Sequence, residues 1–130
     1  MADLDARDGS AGSSRTFDLE ERTFQFAKRV RLFVKQLPRT VGNIEDVKQL
    51  IRSSGSIGAN YIEANESLGQ KDFKMRVRIA RKEAKETRYW LRLLDTGTTE
   101  TVERERTELL TEATEILKIL SAILNKTNKS

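Results

Sequence analysis

The stretch SSGSIGANYIEANES, residues 53–67, combines small residues with a regular apolar pattern. Glycines at this density are typical either of a phosphate-binding loop or of a helix that lies close to another helix. A phosphate-binding loop needs the spacing G-x-x-x-x-G-K-[ST] or G-x-G-x-x-G between a strand and a helix, and neither occurs here. The GxxG of Gly55–Gly58 matches the loop of a KH domain, but that domain requires a sheet. The stretch is therefore predicted to be helical.

An apolar repeat passes through this helix without a break. Its members are separated by alternating steps of three and four residues, which is typical of one helix face: Val47, Leu50, Ser54, Ile57, Tyr61, Ala64 and Leu68. Glycine inside a helix costs about 1 kcal/mol relative to alanine, so Gly55 and Gly58 predict the close approach of another backbone. We predict close packing at Gly55, Gly58 and Ile62, against a helix of the same bundle or of another subunit.

Glycine and proline divide the rest of the chain into segments with the same rhythm. Gly42, Gly69 and Gly97 fall at regular joints, and Pro38 ends the first segment because a residue before proline avoids the helical conformation. Asn43 is the predicted N-cap of the second helix. The predicted helices cover about residues 18–37, 44–67, 72–95 and 99–125.

Short joints place consecutive helices antiparallel to each other. The predicted fold class is therefore all-α, an antiparallel up-down-up-down four-helix bundle over residues 17–127. Residues 1–16 are rich in glycine, serine, alanine and alternating charges, and they offer no apolar stripe to bury. We expect them to form a disordered tail.

Composition argues against catalysis and metal binding. The 130 residues include no cysteine and no histidine, which removes thiolate ligands and the usual catalytic base. Glu83 and Glu86 are three residues apart, but a di-iron bundle also needs histidines. Pairing with nearby arginine and lysine or with a neighbouring helix is the simpler use of these carboxylates. No enzyme activity and no cofactor are expected, and without an apolar signal segment the expected location is the cytoplasm.

The third helix carries the positive charge of the protein. Net charge is +4, and residues 70–95 alone contribute +5. Eight cations follow one flank of this helix, and we call them the basic stripe: Lys71, Lys74, Arg78, Arg81, Lys82, Lys85, Arg88 and Arg92. A surface that serves only solubility mixes both signs of charge, so the basic stripe predicts binding to nucleic-acid phosphates. Tyr89-Trp90 places one aromatic beside the core face of this helix, where packing is its expected use, and stacking on a base requires an exposed ring.

The fourth helix carries a stripe of opposite charge that offers an alternative. The acidic stripe consists of Glu105, Glu108, Glu112 and Glu115. In the predicted register the two stripes do not meet within the hairpin of helices three and four. They could meet head to tail between subunits, which is the contact that closes a ring. A nucleic-acid site, an intersubunit contact and a merely solvated face therefore remain alternatives for the basic stripe.

Two blocks of the chain resemble a known family. LIRSSGSIGANYIEANES, residues 50–67, and KDFKMRVRIARKEAKETRYWLRLL, residues 71–94, are similar to blocks in the four-helix-bundle proteins encoded in 23S rRNA intervening sequences. The resemblance covers about residues 17–125. One departure is Ala64-Asn65, where the family often has Glu-Gly.

The resemblance implies a homopentamer with an unassigned or nucleic-acid-linked role and no catalytic residues. A relative with the same fold is the accessory variability protein of diversity-generating retroelements, which works with a reverse transcriptase and its RNA. The expected function is therefore non-enzymatic binding of RNA or DNA phosphates by an oligomeric bundle, with such a polymerase-type protein as an expected partner. The alternative is a protein–protein assembly module without nucleic-acid contact.

Overall fold

Four helices make up the part of the protein that the structure, a computed structural model, describes. That part is the backbone of residues 11–129 and the side chains of residues 18–127. The helices are α1 (Ala11–Val34), α2 (Val41–Asn65), α3 (Gln70–Leu93) and α4 (Glu100–Lys129), and no strand occurs among the described residues. Each helix packs against the next, and α4 also packs against α1, whereas the Cα atoms of the diagonal pairs stay more than 8 Å apart within this part. The chain is an antiparallel up-down-up-down four-helix bundle, as predicted.

Helix α1 extends further towards the N-terminus than the sequence indicated. It begins at Ala11 rather than near Asp18. The segment between them contains no proline, and adding a residue to an existing helix costs far less than starting one. Of the predicted tail over residues 1–16, residues 1–10 lie outside the described residues.

The predicted apolar repeats form the core. Positions from all four helices are buried, with Phe26 and Phe33 of α1 among the largest side chains in the centre. One assignment was wrong: Leu68 was placed on the core face of the second helix but is fully exposed, at 101%. Helix α2 ends at Asn65, so the chain has already left the helical path before it reaches Leu68. The spacing of three and four residues indicates a buried face only within the helix, so it does not apply to residues beyond the helix end.

The small residues of the 53–67 stretch bring α2 close to both of its neighbours. On one side, the hydroxyl oxygens of buried Ser53 and of Thr87 on α3 lie 2.9 Å apart. On the other, a Cβ atom added to Gly58 would lie 2.8 Å from Oγ1 of Thr23 on α1. The close approach predicted for Gly58 is therefore made by another helix of the same subunit.

Two loops at one end of the bundle are joined by a buried asparagine. Asn43 donates from Nδ2 to the carbonyl oxygens of Pro38 (2.9 Å) and Asp95 (2.8 Å) and accepts from the Asp95 amide (2.9 Å). It was predicted to cap α2, but Thr40 does so, accepting from the Asn43 amide at 3.0 Å. Asn43 thus connects the α1–α2 loop to the α3–α4 loop. Its amide group donates to two carbonyls and accepts from one N–H at the same time, which a hydroxyl cannot do because it carries a single donor hydrogen.

A charged residue occupies one core-face position of α4 because, like Asn43, it donates hydrogen bonds to backbone carbonyls at a helix end. The Arg106 side chain, only 18% exposed, donates from Nη1 to the carbonyls of Leu91 (3.4 Å) and Leu94 at the C-terminal end of α3. Its Nη2 donates to Glu103 at 2.6 Å. Because a helix C-terminus leaves its last carbonyls without intrahelical partners, a guanidinium is well matched to this position. Arg106 therefore fastens the end of α3 to α4.

Candidate nucleic-acid interface

The basic stripe lies along one exposed flank of α3. Its members are partly buried or exposed, and none is fully buried. From Lys74 to Arg92 the stripe runs roughly 27 Å at 1.5 Å per residue. Because α3 is continuous from Gln70 to Leu93, the stripe is a straight row of charges on a rigid element.

The arginines of the basic stripe make no side-chain hydrogen bond or ion pair with the described part of the protein. Among the described residues outside the stripe, six of eight arginines donate hydrogen bonds within the chain: Arg22, Arg29, Arg31, Arg52, Arg76 and Arg106. None of the four arginines in the stripe does so to any described residue, and the Nε atom of Arg88 is buried without a partner. Within residues 18–127, no carboxylate oxygen lies within 4.0 Å of a stripe cation.

Three of the four carboxylates of the acidic stripe pair with α1 of the same chain, and the fourth, Glu115, pairs with Lys118 of α4. Arg22 makes a bidentate contact with Glu112, with its Nε and Nη2 atoms 2.6 and 2.9 Å from the two carboxylate oxygens. Arg29 lies 3.4 Å from Glu105 and 3.5 Å from Glu108. The hydrogen bonds that Arg22 donates to Glu112 raise the pKa of the Arg22 guanidinium above its usual value. Basic and acidic stripes do not pair within the subunit.

This internal pairing of the acidic stripe was missed at the level of sequence, although a signal for it exists. Arg22 and Arg29 are seven residues apart on α1, and Glu105 and Glu112 are seven residues apart on α4. Two equal spacings on antiparallel helices allow both pairs to form in one register. Charge patterns compared between all helices, rather than only between α3 and α4, would have indicated the contact.

Glu83 and Glu86 pair with a neighbouring helix, which was one of the two uses expected for them. Arg52 of α2 lies 3.7 Å from Glu83 and 3.2 Å from Glu86. The Glu83 side chain is 8% exposed, and its Oε1 atom has no hydrogen-bond partner among the described residues. Both carboxylates therefore pair with α2.

An exposed aromatic ring accompanies the basic stripe. Tyr89 is 54% exposed, whereas Trp90 is partly buried against the core. The two ring centroids are 5.0 Å apart with an interplanar angle of 81°, an edge-to-face contact. On the helix surface Tyr89 neighbours Lys85 and Arg92, four residues before and three after it. The condition set for base stacking, an exposed ring, is met by Tyr89.

The three residues predicted for close packing occupy different environments. Gly58 is buried against α1, as described above. At Gly55 the nearest atom to an added Cβ would be Nη2 of Arg31, at 3.5 Å, which is an ordinary contact. Ile62 is 47% exposed. The flank therefore changes along its length from an intrasubunit contact at Gly58 to an open apolar surface at Ile62.

The described residues provide no other obvious chemical centre. No group of three or more aspartate, glutamate, histidine or cysteine side chains among them is arranged to hold a metal ion. None of the four helices, over the same residues, combines the length and apolar content of a membrane span. Among the described residues, the basic stripe is therefore the candidate functional surface.

Comparison with known proteins agrees with this architecture. The model of the family described as 23S rRNA-intervening sequence protein matches residues 15–122, most of the chain. The chain belongs to this family. The match includes all of α2 and α3, and with them the basic stripe and Tyr89.

A solved structure extends the comparison for this family member. A protein of unknown function from the S23 ribosomal protein family of Bacteroides thetaiotaomicron VPI-5482, whose crystal structure was determined at 1.70 Å resolution, is 34% identical to it. The similarity covers 82% of this chain and 97% of that chain, with a TM-score of 0.68. Comparison with curated proteins found no significant match.

Proposed function

We propose that this protein is a non-enzymatic nucleic-acid-binding bundle that contacts RNA or DNA phosphates through the basic stripe. One observation carries the proposal: cations elsewhere in the described chain are largely engaged in internal contacts, whereas those of the stripe are not. A row of unneutralised charges on one rigid helix is costly through self-repulsion unless an anion accompanies it. A polyanion with regularly spaced phosphates matches such a row.

The physical basis of binding is the release of condensed counterions. Each cation that meets a phosphate releases a counterion into solution, so affinity falls as salt rises. Contacts to phosphates position the ligand but carry no information about base sequence. The proposed binding is therefore tight at low salt, weak at high salt and largely independent of sequence.

The proposal of an RNA-directed partner rests on the resemblance to the accessory variability protein of diversity-generating retroelements. We propose that the protein acts in the cytoplasm as a homo-oligomer, a homopentamer by resemblance to the family, and delivers or holds RNA for a partner such as a reverse transcriptase. In a cyclic assembly each subunit would contribute one basic stripe. Repeated stripes raise the overall affinity for a long ligand because the later contacts become intramolecular.

Replacing Arg78, Arg81 and Lys85 together with glutamine tests the proposal. Glutamine has a helix propensity close to that of arginine and lysine, so only three charges are removed, and net charge falls from +4 to +1. Affinity for every sequence tested should decrease. The slope of log K against log salt should fall by about three on a duplex. Fluorescence anisotropy with a labelled duplex and a labelled single strand at several salt concentrations provides the measurement.

A matched control variant distinguishes the effect of charge within the basic stripe from the effect of total charge on affinity. Replacing Lys28, Lys35 and Arg39 with glutamine removes the same three charges from exposed positions of α1 and its following loop. This variant should retain most of the affinity and the salt slope. Equal losses in both variants would mean that only net charge matters, and the proposed interface would then be wrong.

A second candidate function is a protein–protein assembly module. The observation that favours it is the set of exposed apolar side chains, among them Phe24, Val41 and Ile62. Under this alternative the wild-type protein binds no nucleic acid at any salt concentration, while it still associates with itself or with a polymerase-type partner.

A further inference from the structure

We propose that Tyr89 stacks on an unpaired base, so that the preferred ligand of the basic stripe is single-stranded nucleic acid. This inference rests on the proposed function and specifies its ligand. Phosphate contacts alone do not distinguish a single strand from a duplex. An exposed aromatic ring among cations does distinguish them, because a single strand has unpaired bases whose faces can stack on the ring, whereas the bases of a duplex are stacked on each other.

The first support is the position of Tyr89 within the basic stripe. Lys82 and Lys85 lie seven and four residues before it, and Arg92 lies three residues after it. At 3.6 residues per turn all three are on the same side of α3 as Tyr89. All four side chains are exposed. A strand whose phosphates follow these cations therefore brings its bases past the tyrosine ring.

The second support is that the ring is held but not covered. Trp90 contacts it edge-to-face at 5.0 Å and is itself anchored against the core. This contact limits the orientations available to Tyr89 and so reduces the entropy lost on binding. More than half of the Tyr89 surface, 54%, is nevertheless open to solvent.

The third support comes from a ring of equal exposure elsewhere. Phe24 on α1 is also 54% exposed, and the ammonium of Lys28 lies over it, 5.5 Å from the ring centroid. Tyr89 has cations as helical neighbours, yet none of the described residues places a charge over its ring in this way. Its face remains available to a ligand. A base in that position adds stacking to the phosphate contacts on either side.

The test uses the full-length protein and three probes of the same length, about 15 nucleotides. These are a labelled oligouridine, a matched abasic strand that keeps the phosphates but lacks bases, and a duplex. Tyr89→Ala should weaken oligouridine binding roughly five- to 150-fold, the range typical of losing one stacked base. Binding of the abasic strand and of the duplex should be unchanged. The same comparison with oligothymidine separates RNA from DNA.

Two further variants isolate the ring. Tyr89→Phe keeps the aromatic face and should bind oligouridine like the wild type. Phe24→Ala removes an equally exposed ring outside the basic stripe and should also bind normally. The sole tryptophan, Trp90, touches Tyr89 and serves as an intrinsic reporter. Its fluorescence should change on addition of oligouridine and not on addition of the abasic strand.

The outcomes separate this inference from the proposed function. If Tyr89→Ala binds oligouridine as the wild type does, while the Arg78, Arg81 and Lys85 triple variant loses affinity, stacking is wrong and phosphate binding stands. Equal weakening of all three probes by Tyr89→Ala would indicate a structural defect and would also overturn stacking. If the wild-type protein binds none of the probes, the proposed function and this inference fail together.

Discussion

Gly55 and Gly58 are three residues apart on α2, yet the structure predicts that replacement by alanine changes the free energy of unfolding in opposite directions at the two positions. At Gly58 a Cβ atom would meet Oγ1 of Thr23 at 2.8 Å and its Cβ at 3.2 Å. Gly58→Ala should therefore lower the free energy of unfolding by about 1–3 kcal/mol through overpacking, despite the better helix propensity of alanine. At Gly55 the nearest atom is 3.5 Å away, so Gly55→Ala should raise it by about 1 kcal/mol. Urea unfolding followed by circular dichroism measures both.

A double substitution identifies the cause at Gly58. Thr23 is buried, and its hydroxyl lies 2.9 Å from the Leu19 carbonyl, so it cannot move away freely. Combining Gly58→Ala with Thr23→Ala removes the closest atom and should recover part of the lost stability beyond the sum of the single effects. Strictly additive effects would contradict the proposed steric contact.

At the scale of elements, the junction between α3 and α4 depends on a carboxylate. Glu103 accepts hydrogen bonds from Thr96 Oγ1 at 2.8 Å and from Arg106 at 2.6 Å, and these hold the pKa of Glu103 below its ordinary value. A lowered pKa in the folded state means that the unfolded chain binds the proton more readily, so acid favours unfolding. The stabilisation should be complete above the unfolded-state pKa of about 4.3 and should decrease as pH falls from there through the lower pKa of the folded state. Urea unfolding of Glu103→Gln and the wild type at pH 7 and about pH 3 should reveal a larger difference in the free energy of unfolding at the higher pH.

Glu100→Gln is the matched control for this junction. Both carboxylates belong to the first turn of α4, so both interact with the positive end of the helix dipole. Only Glu103 also holds Thr96 and Arg106. If Glu100→Gln has the same pH-dependent effect, the helix dipole rather than the junction is responsible.

At the scale of the whole molecule, the acidic stripe pairs with α1 of its own chain, so it is less available for the predicted contact with the basic stripe of a neighbouring subunit. Since Arg22 and Arg29 occupy the acidic stripe, pairing of opposite charges between subunits loses one of its partners. The exposed apolar side of α2 around Ile62 is then the better surface for self-association. We expect a homo-oligomer that persists at about 1 M salt, where the Debye length is only about 3 Å. Ile62→Asp should dissociate it, as measured by light scattering.

Leu32→Asp serves as the control for the assembly prediction. Leu32 is 59% exposed on α1, so the substitution adds the same charge to an equally apolar position away from Ile62. The oligomer should remain intact in this variant. A monomeric wild-type protein at micromolar concentration, or dissociation by salt alone, would contradict an apolar interface.

The sequence by itself determined the elements of this protein and their apolar faces. Core positions recur every three or four residues because that is the period of a helix face, and this holds whatever the partner is. The cations of the basic stripe recur with the same spacing, so their alignment in one row could be predicted from the sequence before any contact was known. Chain breakers located the three joints to within a few residues, and Leu68 fell on the wrong side of one of them.

Tertiary structure alone decided which of these faces meet. Gly58 meets Thr23, Asn43 joins two loops, and the acidic stripe meets α1, because each contact joins residues far apart in the chain. A local pattern specifies a face but not its neighbour, since several helices present compatible faces. The exposure of Tyr89 belongs to the same class, because a ring beside the core seam is covered or open only once the surrounding helices are in place. The proposed function therefore depends on a stripe predicted from sequence and on the absence of internal partners for it among the described residues, which only the packed bundle reveals.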